Sequence, residues 1–123
     1  MSSTGYFQYN LRSVVHSGVG SIIRIPALLQ GLGARRVLLI SDAGLKQVGV
    51  VDRVAATFDT WQSGTMPALA GIYDEITPDA GGNCVNECMA YARSIAADAI
   101  VAVGGGSVMD AAKAVKYGLH HQI

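Results

Sequence analysis

The chain has 123 residues, nine Lys and Arg against nine Asp and Glu, a hydrophobic half and no net formal charge. That length suits one domain with a single core, at the short end for a doubly wound sheet, and the scattered cations argue against nucleic acid as a partner. No apolar stretch approaches the roughly 20 residues of a membrane span, and no basic segment precedes an apolar core at the N-terminus, so a soluble, cytoplasmic protein without a membrane partner is expected.

Strand-like and helix-like patterns alternate along the chain, the signature of an α/β domain with a mainly parallel sheet flanked by helices. Tyr6 to Asn10 and Val14 to Ser17 read as a short opening hairpin or sheet edge. Ser21 to Leu32 reads as a helix, with Ile22, Ile25, Leu28, Leu29 and Leu32 at helical spacing and Gly31 or Gly33 ending it. Pro26 either starts its regular part or kinks it. Val37 to Ser41 is a continuous apolar run between Arg35-Arg36 and Asp42, the profile of a central strand buried on both faces.

Val51, Val54, Ala55 and Phe58 then keep the helical period until Gly64 and Pro67 break the chain. Leu69 to Tyr73 is a strand candidate, followed by a loop at Thr77 to Gly82. Asn83 is placed to cap a helix carrying Val85, Cys88, Met89, Ala92 and Ile95 on one face. Cys84 and Cys88 lie four apart on that helix, where a disulfide does not fit helical geometry and a metal would need two further ligands. They are read as small buried apolar residues in a reducing compartment. Ala99 to Val103 is the next strand, and the final helix presents Val108, Ala111, Ala112 and Val115, with Gly118 as its expected C-cap.

The junction of those last two elements, Val103-Gly104-Gly105-Gly106-Ser107-Val108-Met109-Asp110, runs from a buried strand through three glycines into a helix start. Glycines let the backbone approach an anion without Cβ contact, and the first amides and positive dipole end of the helix then face it. A phosphate-bearing nucleotide is the natural occupant, although the spacing is neither G-x-G-x-x-G nor a P-loop. Ser107-x-x-Asp110 also fits a capping box, but that reading leaves three consecutive glycines unexplained, each costing about 0.5–1 kcal/mol of backbone entropy. Anion binding is therefore assigned to Gly104, Gly105, Gly106 and Ser107. Asp110 is assigned to capping because a pyrophosphate would repel it, and Lys113 is in reach of it at i, i+3. Asp42, just after the central strand, suits either a contact to an adenosine ribose or the cap of a following short helix, and the two are compatible.

Taken with Asp110 and Lys113, the string resembles the GGGSxxDxAK signature of the iron-containing (group III) alcohol dehydrogenases. Gly18-Val19-Gly20-Ser21, Val37 to Leu45, and Asp98 to Val103 echo the same family in order and spacing, so the resemblance runs from about Val14 to Gly118. It implies a Rossmann-like nucleotide-binding domain, a dinucleotide partner and a small alcohol substrate. An acid at the position of Asp42 implies NAD rather than NADP. Thr77-Pro78-Asp79-Ala80 stands where the family carries an Asn-Pro turn, and there the pattern is broken.

The resemblance also implies a second, helical domain holding divalent iron or zinc through one Asp and three His. His16, His120 and His121 do not supply such a set, since adjacent residues point in different directions. The chain is thus expected to be the truncated cofactor-binding portion of such an enzyme, inactive alone, with an uncovered sheet edge that favours a homo-oligomer or other self-association. A non-catalytic nucleotide-binding or subunit-interaction module is the alternative. A relative of glycerol dehydrogenase or dehydroquinate synthase is another, against which Ser107 and Ala111-Ala112-Lys113 speak.

Overall fold

A computed structural model describes residues 12–15, 25–59, 67–77 and 82–121, with the 12–15 segment described through its backbone. Four strands, β1 (Arg12–Val15), β2 (Arg36–Ile40), β3 (Ala68–Tyr73) and β4 (Ala99–Ala102), form one parallel sheet in the order β1-β4-β2-β3. Five helices connect and flank them: α1 (Ile25–Gly31), α2 (Ala43–Gln47), α3 (Val50–Asp59), α4 (Gly82–Ser94) and α5 (Gly106–His121). Of the two readings of the opening segment, hairpin or sheet edge, the described residues show the edge: β1 pairs in parallel with β4 alone. Tyr6 to Asn10 lie outside them.

The two central strands explain why the sheet is covered on both sides. Leu38, Ile40, Ile100 and Ala102 point into a core completed by Cys88, Met89 and Ala92 of α4 and Val108, Ala111, Ala112 and Val115 of α5. Val37, Leu39, Ala99 and Val101 point the other way, onto Ile25 and Leu29 of α1 and Val51, Val54 and Phe58 of α3. The continuous apolar runs thus serve two cores at once, as strands of a doubly wound sheet must.

Details of the helices differ from the periodic reading. Pro26 sits in the first turn of α1, where its missing N–H costs nothing, and Gly33 (φ +80°) ends that helix. Ala34 N–H donates to Leu29 O at 2.9 Å and Gly33 N–H to Gln30 O at 3.0 Å, a Schellman closure. Leu28 and Leu32, expected in the core, are exposed. Asn83 lies inside α4 rather than at its cap.

Gly118 is not a C-cap, because α5 continues to His121. A Cβ there would run into the Met89 Sδ, so the glycine serves the close passage of α5 over α4. Cys84 and Cys88 are unbridged, Cys88 is buried, and burial first and Cys84 second push the Cys88 thiol up to about 12.

Candidate functional site

The chain order sets the carboxyl ends of β2 and β4 apart from the other strand ends. From β2 the chain moves outward to β3 through α2 and α3, then crosses back over β2 through α4 to β4, on the opposite face of the sheet. The chain leaves β2 toward α3 on one face and leaves its neighbour β4 toward α5 on the other, so their carboxyl ends form a topological switch point, where diverging loops make room for a ligand. Asp42 follows β2 and Gly104 to Ser107 follow β4, so all five sequence-predicted residues fall on these two strand ends.

The three glycines do not have equal reasons to be glycine. Gly104 has φ +156°, and a Cβ on it would stand 2.6 Å from Val108 Cγ2 and 2.9 Å from Val108 Cβ, both on a buried, branched side chain. The fold itself demands that residue. Gly105 and Gly106 are exposed, and a Cβ on either would meet nothing within 4 Å. Nothing in the described protein needs their bareness, so the space beside them suits close approach of a ligand to the backbone.

Met109 N–H donates to Gly105 O at 3.0 Å, the first intrahelical bond of α5, so Gly105 occupies the N-cap and the amides of Gly106, Ser107 and Val108 precede the bonded ladder. This corrects the capping-box reading. Ser107 is half-buried in the first turn, one residue past the helix start, and Asp110 is exposed beyond it. Asp110 does not pair with Lys113, which is also exposed.

Asp42 is the N-cap of α2. Its extended backbone (φ −127°, ψ 166°) turns the carboxylate back, and Oδ1 accepts from Leu45 N–H at 2.8 Å. The capping role is realised with one oxygen of the carboxylate. Lys46, at the far end of the same short helix, pairs with Asp52 at 2.7 Å with both groups largely in water.

Ser41, one residue before Asp42, was assigned in sequence only to the strand. It is fully buried, and its hydroxyl donates to Val103 O at 2.6 Å. Behind it Tyr73 donates to Glu87 Oε1 at 3.0 Å, and burial first, then that bond, raise the phenol above its ordinary range. At the opposite end of the sheet Asp98 accepts from the amides of Arg35 and Arg36 at 3.0–3.1 Å, which places this part of the sequence echo in the scaffold. Thr77 is exposed, and Pro78 to Ala80 lie outside the described residues.

Among the described residues no three His, Cys, Asp or Glu side chains come together to hold a metal ion. His16 lies outside them, and His120 and His121 are described as part of α5 only. The described residues do not fit a metal site. No described helix is long and apolar enough to cross a membrane.

The sequence profile of the iron-containing alcohol dehydrogenases matches residues 13–123, and the chain belongs to that family. It is 28% identical over 117 residues to a choline dehydrogenase of Bacillus subtilis, covering 95% of this chain and 28% of that protein. It is 31% identical over 98 residues to long-chain-alcohol dehydrogenase 1 of Geobacillus thermodenitrificans, covering 80% of this chain and 24% of the relative. Among solved structures it is similar to the NADH-dependent butanol dehydrogenase A of Thermotoga maritima, with TM-score 0.67 and 28% identity over 91% of this chain and 27% of that one. The chain thus spans about a quarter of the length of these relatives.

Proposed function

We propose that this chain binds NAD across the switch point, as the nucleotide-binding part of an NAD-dependent alcohol dehydrogenase acting between an alcohol and its aldehyde or ketone. The observation that carries the reading is the open, Cβ-free surface at Gly105 and Gly106, at the amino end of a 16-residue helix and the carboxyl end of a parallel strand. The amides of Gly106, Ser107 and Val108 would hold the pyrophosphate, aided by the helix dipole. Asp42 would accept from the adenosine ribose hydroxyls while still capping α2. When bound, the nicotinamide ring supplies the hydride acceptor for alcohol oxidation.

Membership of an alcohol dehydrogenase family and likeness to an enzyme named for NADH dependence support this reading. Self-association belongs to the same proposal, since β3 is paired on one side only in the described sheet and a free strand edge can accept another chain.

Calorimetric titration of the chain with NAD and NADP tests the assignment. NAD is expected to bind more tightly, because the Asp42 carboxylate repels a 2′-phosphate. Asp42→Asn keeps an oxygen for Leu45 N–H, so it should narrow that preference without lowering the melting temperature. Equal affinities for the two cofactors in the parent chain would remove Asp42 from the site.

A further inference from the structure

We propose that the buried Ser41 hydroxyl is a positioning residue that fixes the spacing between the two halves of the nucleotide site; this deepens the NAD reading above and rests on it. Ser41 immediately precedes Asp42, the ribose-side acid, and Val103 immediately precedes Gly104, the start of the phosphate cradle. The bond between them, 2.6 Å long and donated by a fully buried hydroxyl, therefore ties together the two residues from which the halves of the site diverge.

The backbone alone does not make this tie. The ladder between β2 and β4 ends with Val103 N–H donating to Ile40 O at 3.0 Å. At Ser41 the main chain turns to the other neighbour, donating from its N–H to Tyr73 O at 2.8 Å and accepting at its carbonyl from Ile76 N–H at 3.3 Å. Only the side chain reaches back to β4, and it extends the pairing by one rung into the place where the two loops separate. Without the hydroxyl, a buried carbonyl at Val103 loses its donor, and the Asp42 and Gly104 loops are free to part or close.

A ligand that touches both loops feels that spacing, whereas one that touches a single loop does not. The test uses NAD, adenosine and inorganic pyrophosphate as probes on the parent chain, Ser41→Ala and Ser41→Cys. Ser41→Ala should weaken NAD roughly tenfold, a factor in line with one lost buried hydrogen bond. Adenosine and pyrophosphate, each bridging nothing, should bind as they do to the parent. Ser41→Cys keeps the size and a poor donor, so it should fall between the two, and it carries the test if the alanine variant does not fold.

An alanine variant that holds NAD as tightly as the parent overturns the proposal. So does a parallel loss of all three ligands, which would mean a general loosening of the sheet end. A parent chain that binds no NAD refutes the cofactor reading itself, and with it this inference.

Discussion

Alanine at Gly106 and alanine at Gly104 should move stability in opposite directions, although both residues belong to the same glycine run. At Gly106 the new Cβ meets nothing within 4 Å and φ is not in the left-handed region, so the substitution only reduces the freedom of the unfolded chain. A gain of about 0.4–1 kcal/mol follows, or roughly 2–4 °C in melting temperature for a domain of this size. At Gly104 the Cβ is driven to 2.6 Å from a buried valine carbon at φ +156°. Overpacking of about 1–3 kcal/mol and backbone strain of about 1 kcal/mol or more then add, for a loss of about 2–4 kcal/mol. Urea denaturation reads both changes. Calorimetry with NAD supplies the second axis, on which Gly106→Ala should bind at least about tenfold more weakly because its methyl stands where the phosphate would lie. A Gly106→Ala variant that is more stable and binds NAD like the parent would refute the phosphate cradle, since the open space would then serve nothing.

Two further outcomes test the scaffold. Ala96, at φ 54°, closes α4 in the same Schellman geometry that Gly33 provides for α1, with Ala97 N–H donating to Ala92 O at 3.0 Å. Ala96→Gly should therefore stabilise the chain by about 0.5–1 kcal/mol in urea denaturation, and a loss of stability would show that the left-handed alanine is not strained. Cys88 gives a pH dependence of definite sign. Its thiol, normally titrating near 9.0, is held up to about 12, so between those values the native state keeps a proton that the unfolded state has released. The contribution of this group should be level below pH 9 and fall as pH rises above it, by at most about 1.4 kcal/mol per pH unit, with Tyr73 adding the same sign above pH 10. Cys88→Ala should flatten the fall between pH 9 and 10, and an unchanged slope would assign it to other groups.

The candidate site was legible in the sequence where a residue type is required by local backbone chemistry. Three glycines before a helical period announce a bare helix start whatever the surroundings, and an acid directly after a buried strand announces a cap or a ribose contact. What distinguishes Gly104 from Gly105 and Gly106 was not legible, because it depends on where Val108 lands one turn later. The Ser107–Asp110 spacing suggested a capping box, but the true helix start, two residues earlier at the N-cap Gly105, is decided by which carbonyl Met109 reaches. Ser41 was invisible as anything but strand. Its partner, Val103, is 62 residues away, and only pairing of β2 with β4 brings the two together.

By itself the sequence determined the alternation of strands and helices, the two-faced burial of β2, and the place of the glycine run at a helix start, since each follows from hydrophobic period or backbone freedom over a few residues. The tertiary structure alone decided the strand order and hence the switch point, because register between distant strands comes from packing the two cores together. It also decided the work of Gly118, which looked like a helix end and proved to be a gap for Met89. A glycine's conformational freedom can be read in the chain, but whether that freedom or the missing side chain matters is set by the neighbour that comes to rest beside it.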